Sequence, residues 1–252
     1  MLCKRLIACL DVRDGRVVKG TNFVSLRDAG DPAELAARYD AEGIDEVVVL
    51  DVSATIQNRR ALASTISAVA SRLFIPLTVG GGVGSLDDAA TLFDAGADKV
   101  SINTAALRSP ALISEIAGRY GSQAVIVAID AKREGAAYRV FARSGSEADA
   151  REAAAWAKEA TDRGAGEILA TSIDRDGTRS GFDTVLTALL SRAVPVPVIA
   201  SGGAGTHQHF IDVFTEGEAD AALAASVFHF SEHAVADLKA TLAVAGVPVR
   251  AC

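Results

Sequence analysis

VPVIASGGAGTHQHFIDVFTEGEADAALAAS (196–226) is the stretch on which the fold turns. An apolar run ends in Ser201-Gly202-Gly203, a helical segment follows, and a second apolar run ends in Ala225-Ser226. Paired glycines after a strand let backbone N–H groups come close to a ligand. A small-residue turn ahead of a helix adds a partial positive charge, so the two together favour a phosphate. The turns after the last two strands of a parallel barrel are a common phosphate site.

The same unit occurs earlier, in PLTVGGGVGSLDDAATLFDAGADKVSINTAA (76–106). Gly81-Gly82 stand where Gly202-Gly203 stand later, and AGADKVSIN parallels EGEADAALA with one residue inserted. One glycine-rich turn is a weak signal. Two copies at matching places form a strong one.

The rest of the chain repeats this alternation. Short, nearly continuous apolar runs predict strands at 5–10, 46–51, 76–80, 98–103, 124–129, 167–172, 196–201 and 220–225, as expected for strands covered on both faces. Helical patterns lie between them, at 32–42, 59–72, 86–95, 110–119, 147–163, 183–192, 207–216 and 232–244. Asp31-Pro32 reads as an N-cap and first-turn pair, Ser85 as a second cap, and Gly43 and Gly96 as helix stops. Eight βα units with no linker give an α/β protein, a (β/α)8 TIM barrel in one domain over 1–252. CLDVRDG (9–15) parallels AIDAKREG (128–135), and GIDEVVVLD (43–51) parallels GAGEILATS (164–172). The barrel is therefore predicted to be an internal duplication, with half-barrels at about 1–122 and 123–252. Twofold placement sets equivalent sites on opposite sides of one mouth, so the expected substrate carries a phosphate at each end with the reacting part between.

Composition narrows the function. A formal charge of −7 over 252 residues argues against a nucleic-acid binder. An anionic ligand must then be held by local amides and dipoles. Cys3, Cys9 and Cys252 are too few and scattered for a disulfide framework, and no His/Asp/Glu cluster has metal-ligand spacing. The sequence thus predicts no metal and no cofactor. No apolar run reaches membrane-spanning length and MLCKRLIACLD meets charges at once, so a cytoplasmic protein is expected.

Asp11 and Asp130 are symmetry mates, each ending an apolar strand at the mouth where barrel chemistry lies. Two carboxylates on opposite sides of a ligand serve as acid and base when their surroundings separate their pKa values. Asp51 also ends a strand, and a ligand-hydroxyl role and a capping role are equally open. Asp174, Asp176 and Gly177 head the loop in TSIDRDGT, where Gly177 offers a backbone N–H to a phosphate. The hydroxyls of Thr171 and Ser201 suit a polyol ligand. His207 and His209 read as surface positions on a helix. The segment DGRVVKGTNFVSLRDAG (14–30) reads as a long lid loop, with Lys19 either reaching the substrate or simply solvated. Arg5, Glu46, Lys99 and Glu167 open their strands and so face the barrel floor, either as an ordinary charged rim or as a neutral ring of salt bridges.

At this point KRLIACLDVRDGRVVKGTNF, TVGGGV, DKVSINTAA, GSQAVIVAIDAKR, GAGEILATSIDRDGT, IASGGAG and ALAASVFHF resemble the cyclase subunit of imidazole glycerol phosphate synthase, from histidine biosynthesis. The likeness spans essentially the whole chain. It implies a lyase whose catalytic pair is Asp11 and Asp130. It implies that Gly82, Asn103 and Thr104 bind one phosphate, and Gly177, Gly203, Ala225 and Ser226 the other; the residues read above add Lys19, Thr171, Asp176 and Ser201 as expected substrate contacts. The implied substrate is a formimino-aminoimidazole carboxamide ribotide with a ribulosyl phosphate arm. Ammonia adds to its ketone, the imidazole ring closes, and imidazole glycerol phosphate and aminoimidazole carboxamide ribotide leave. The likeness also implies a glutaminase subunit docked on the barrel bottom as a heterodimer, with Arg5, Glu46, Lys99 and Glu167 as the ammonia gate and Asp98 and Gln123 on the docking face. Two other readings compete: the related isomerase of the preceding step, which needs no ammonia entrance, and a non-catalytic phosphate-binding barrel.

Overall fold

The computed structural model describes residues 2–21, 24–52, 59–229 and 234–251. In chain order the strands are β1 (Arg5–Arg13), β2 (Arg16–Thr21), β3 (Val24–Gly30), β4 (Glu46–Asp51), β5 (Leu77–Gly80), β6 (Lys99–Ile102), β7 (Val125–Glu134), β8 (Ala137–Ala142), β9 (Glu147–Glu152), β10 (Glu167–Ser172), β11 (Val198–Ser201) and β12 (Ala221–Ala224). The helices are α1 (Pro32–Ala41), α2 (Arg59–Ala70), α3 (Leu86–Asp94), α4 (Thr104–Arg108), α5 (Ala111–Tyr120), α6 (Ala153–Asp162), α7 (Thr184–Ala193), α8 (His207–Thr215), α9 (Ser226–His229) and α10 (Val235–Val244). Among the described residues β1, β4, β5, β6, β7, β10, β11 and β12 pair in parallel, and the β7–β10 pairing closes them into a (β/α)8 barrel. Three barrel strands separate β1 from β7 whichever way round the barrel is followed, so the two strands face each other across it.

Side-chain parity sorts the barrel into two layers. On β1, Leu6, Ala8, Leu10 and Val12 point outward into the layer beneath the helices, while Ile7 and Cys9 point inward. Val48, Ile126, Leu169, Ile199, Ala221 and Leu223 complete the inner cluster. Continuing each inward row places Arg5, Glu46, Lys99 and Glu167 at the floor, and Asp11, Asn103, Asp130, Thr171 and Ser201 at the mouth. One parity thus threads both charged sets onto the same interior.

The turns are fixed by local chemistry. Asp31 caps α1 by accepting from the N–H groups of Ala33 and Glu34, with Pro32 in the first turn, and Ser85 caps α3 through the Asp88 N–H. At the floor, three aspartates just ahead of a strand each brace a neighbouring strand: Asp45 accepts from Leu6 N, Asp98 from Leu77 N and Asp220 from Val198 N, at 2.8, 2.8 and 3.1 Å. Lys239, only 3 % exposed, bonds the Gly43 carbonyl and Asp45 at 2.7 Å each and so ties α10 to the foot of β4. Among the described residues no helix is long and apolar enough to cross a membrane.

Three segments depart from the sequence expectation. The 14–30 segment is not an irregular loop: β1 runs on past the barrel, turns at Asp14-Gly15, and continues into the antiparallel β2–β3 arm. Both turn residues have positive φ, 51° and 75°, the type I′ geometry that matches strand twist. The stretch between the predicted strand 124–129 and the predicted helix 147–163 is likewise a hairpin, with β7 paired to β8 from Asp130↔Phe141 to Glu134↔Ala137. Residues 147–152 are not the start of a helix but form β9, paired to β8 through Arg139↔Glu152 and Phe141↔Ala148. Their helix-favouring composition yields to the open edge of β8, which supplies the hydrogen-bond partners. The Lys19 side chain, for which a substrate contact was expected, lies outside what the structure describes.

Candidate active site

Asp11 and Asp130 end the inward rows of β1 and β7 and so stand on opposite walls of one mouth. Asp130 is in register with Thr171 on β10, which is in register with Ser201 on β11. These hydroxyls line the wall on which Asp130 stands. The Cys9 thiol lies 3.8 Å from Asp11 Oδ1 as a weak donor.

Asp130 has the most informative surroundings. Its Oδ2 accepts from Asn103 Nδ2 at 2.9 Å. Burial pushes its pKa up, the nearby negative charge of Asp176 adds to the rise, and the Asn103 bond opposes it; the result is about 6. A carboxyl group titrating there is a stronger base than an exposed aspartate, yet still ionised at neutral pH. A raised pKa also has a cost in stability. The unfolded chain releases this proton near pH 4, so the ionised, buried group weakens the fold increasingly as pH climbs from about 4 to 6. Asp130→Asn is therefore expected to melt higher than the wild type at pH 7.5, by a stabilisation on the order of 1–3 kcal/mol. That advantage should vanish below about pH 4, and paired thermal melts at both pH values check it.

The two glycine turns are alike in sequence and unlike in packing. A Cβ on Gly81 would lie 2.2 Å from the Asp51 carbonyl oxygen, and one on Gly203 would lie 2.2 Å from the Gly181 carbonyl oxygen; both residues have positive φ. Close backbone packing therefore requires glycine at each. Gly82, by contrast, meets nothing within 4 Å and is exposed at the mouth. Thr104 follows Asn103 at the start of α4, and its Oγ1 accepts from the Arg143 N–H of the β8–β9 turn at 2.9 Å. Gly177 is exposed with φ 73° on the loop after β10, and the Gly181 N–H of that loop donates to the Gly203 carbonyl at 2.8 Å. Ala225 and Ser226 complete that side at the start of α9. The expected phosphate residues thus gather in two groups at the mouth, around β5–β6 and around β10–β12.

Several expected positions have definite partners elsewhere. Asp174 accepts from Arg133 N at 2.8 Å and so braces the β7–β8 hairpin. His207 pairs with Thr241 at 2.9 Å, and His209 closes a capping box with Thr206. Gln123 is exposed and donates to the Tyr120 carbonyl. One organising residue went unnoticed in the sequence. Asp183 receives Tyr138 Oη, Ser172 Oγ and Leu186 N at 2.9, 3.1 and 3.0 Å, joining β8, the end of β10 and α7. The Asp183-Thr184 step before an apolar periodic run signals its capping bond. Nothing local signals Tyr138.

At the floor, Arg5 bridges Glu46 and Glu167 at 2.5 and 2.6 Å, while Lys99 bridges Glu167 and Glu46 at 2.5 and 3.2 Å. The four form a closed, neutral ring. Glu46 and Glu167 are nearly buried, with side chains 5 and 9 % exposed. Burial alone raises the Glu167 pKa, but Arg5 and Lys99 outweigh it and hold the group below its ordinary value. Burial likewise works against the Arg5 charge, and its two glutamates more than offset that. Among the described residues no group of three or more His, Cys, Asp or Glu is placed to hold a metal ion.

Residues 5–234 match the family model described as histidine biosynthesis protein. The chain is 61 % identical over 250 residues to imidazole glycerol phosphate synthase subunit HisF of Acidobacterium capsulatum, covering 99 % of each chain. It is 56 % identical over 252 residues to the subunit of the same name of Anoxybacillus flavithermus, covering 99 % of this chain and 100 % of that one.

Proposed function

On the premise that this chain belongs to the family of imidazole glycerol phosphate synthase subunit HisF, we propose that it is the ammonia-dependent cyclase-lyase of histidine biosynthesis. Its substrate is the ribulosyl formimino-aminoimidazole carboxamide ribotide, a molecule with a phosphate at each end. Asp11 and Asp130 act as the acid–base pair. The observation that carries this reading is the placement of two strand-end carboxylates on opposite walls of one mouth, between two glycine-turn sites, with burial pushing one of them, Asp130, up to about 6.

In this reading the Gly82 and Thr104 side holds one phosphate, and Gly177, Gly203, Ala225 and Ser226 hold the other. Bound at both ends, the substrate spans the mouth and presents its ketone between the aspartates. Asp11 protonates the ketone oxygen as ammonia attacks the carbon, and that oxygen then leaves as water as the carbinolamine becomes the imine that closes the ring. Asp130, ionised at neutral pH with raised basicity, takes the proton released during ring closure and cleavage. Thr171 and Ser201 hold the substrate's hydroxyl groups on the Asp130 wall. The β2–β3 arm rises beside Asp11 and closes the mouth as a lid that carries Lys19.

The relatives are named as subunits, which supports a partner subunit for this chain as well. We assign that partner as a glutaminase docked on the barrel floor, where the Arg5–Glu46–Lys99–Glu167 ring guards the entrance for ammonia. The duplication supplies the twofold frame, with half-barrels at about 1–122 and 123–252.

The test is turnover of the two-phosphate ribulosyl substrate by the purified chain with an ammonium salt at alkaline pH. Imidazole glycerol phosphate and aminoimidazole carboxamide ribotide are expected in equal amounts, with a rate proportional to free ammonia at low concentration. Conversion of the ribosyl precursor without ammonia would make the chain the isomerase. Tight binding with no product, with or without a glutaminase, would make it a binding barrel.

A further inference from the structure

Asn103 ends the inward row of β6, on the same face as Lys99 at the floor and Ser101 midway. Its side-chain amide has two ends. Nδ2 gives one of its two N–H groups to Asp130 at 2.9 Å. Oδ1 is buried and has no hydrogen-bond partner among the described residues. A buried carbonyl oxygen without a donor is costly, so such an atom marks a place where a ligand's N–H or O–H arrives. A phosphate dianion brings acceptors and no donor, so a phosphate held by the second Nδ2 N–H would still leave Oδ1 unsatisfied. The phosphate role that the NTAA motif implies therefore does not account for this oxygen.

Resting on the ammonia-dependent reading above, we propose that Asn103 organises the nucleophile and its base together: Nδ2 holds the Asp130 carboxylate, and Oδ1 accepts one N–H of the incoming ammonia. Ammonia has three N–H groups and one lone pair. Giving one N–H to a fixed acceptor restricts its rotation and aims the lone pair away from Asn103, into the mouth where the ketone lies. The same amide keeps Asp130 ionised against the negative charge of Asp176, the charged group that faces it from the loop after β10. From β10 the neutral hydroxyl of Thr171 stands in register with it, and from β8 the apolar side chain of Phe141.

The experiment is steady-state turnover of the bisphosphate substrate by the full chain with ammonium chloride, across pH, at constant free ammonia. Asn103→Ala is expected to raise KM for ammonia about tenfold. The acid limb of its kcat profile should move upward by about one pH unit, because the carboxylate has lost a donor. KM for the bisphosphate should stay within about twofold. Asn103→Asp has the same shape without the donor and covers the case in which the alanine variant fails to fold; its acid limb must also move up. A raised bisphosphate KM with unchanged ammonia KM and an unmoved limb would overturn the proposal and return Asn103 to phosphate binding. If the wild type turns over and both variants match it, this inference alone fails. If the wild type shows no ammonium-dependent turnover, the functional reading fails and this inference falls with it.

Discussion

Asp11→Asn and Asp130→Asn are each expected to lower kcat of ammonium-dependent turnover by about 10³-fold, with KM for the bisphosphate substrate within about threefold of wild type. Neither carboxylate is placed to hold a phosphate, and like charges would repel. In the proposed reading the phosphates are held at the glycine turns, so ground-state binding should survive both changes. Proton transfer should not, because an amide neither gives nor takes a proton at neutral pH. The two variants are predicted to differ in one respect. Asp130 is held near pKa 6 by burial and by Asp176. Wild-type kcat should therefore fall as pH drops through about 6, and that limb should be absent from the residual activity of Asp130→Asn. The double variant is expected to be little worse than either single one, since acid and base serve one reaction and their effects do not add. If Asp130→Asn retained more than about a tenth of wild-type kcat, Asp130 would not be the base.

The second large effect is on stability. Glu167→Gln removes one negative charge from the floor ring and leaves Arg5 and Lys99 sharing Glu46 alone. Removing one partner from a buried ion pair costs about 3–5 kcal/mol, because a charge is left uncompensated. Arg5 is 24 % exposed and recovers some hydration, which places the expected loss toward the lower end. For a chain of 252 residues this is a fall in Tm of roughly 10 °C. The loss has a definite pH dependence. The folded-state pKa of Glu167 lies below its unfolded value, so its contribution is full above the unfolded pKa near 4.3 and fades as pH falls further. The gap in Tm between wild type and variant should therefore close in acid. By contrast, the solvent-exposed Arg192–Glu218 pair is expected to leave Tm unchanged when Glu218 becomes Gln. Below its own Tm, Glu167→Gln should still turn over with ammonium, because Glu167 lies four residues down β10 from Thr171, about 13 Å from the mouth. Equal melting of wild type and Glu167→Gln at pH 7.5 would show that the ring contributes nothing to folding.

Much of this was legible in the sequence because strand parity is a simple rule. Once the apolar runs 5–10, 124–129 and 167–172 are taken as barrel strands, the inward positions follow by counting in twos. Arg5 to Asp11 and Glu167 to Thr171 then fall on one face without any structure. The paired glycines pointed in the same way to the turns after β5 and β11, which the fold brings to the mouth. What was missed depends on partners distant in sequence. The β2–β3 arm has a local signal in Asp14-Gly15, a two-residue I′ turn, but β9 has none, because its pairing is decided by the edge of β8. The Asn103–Asp130 bond joins neighbouring strands across 27 residues, and its donor direction depends on the register between β6 and β7. The approach of Asp176 to Asp130 depends on how the loop after β10 folds back. A sequence pattern encodes which face a residue takes, whereas a pKa depends on what meets it there.

In the proposed reaction this barrel places nitrogen from ammonia into the imidazole ring. Turnover of unlabelled bisphosphate substrate with ¹⁵N-ammonium by the isolated chain tests it directly, with the two products separated and examined by mass spectrometry and ¹⁵N NMR. One ¹⁵N is expected in the ring of imidazole glycerol phosphate and none in aminoimidazole carboxamide ribotide. Product formed without label in the ring, or no ring product at any ammonium concentration from a folded chain that binds the substrate, would contradict it.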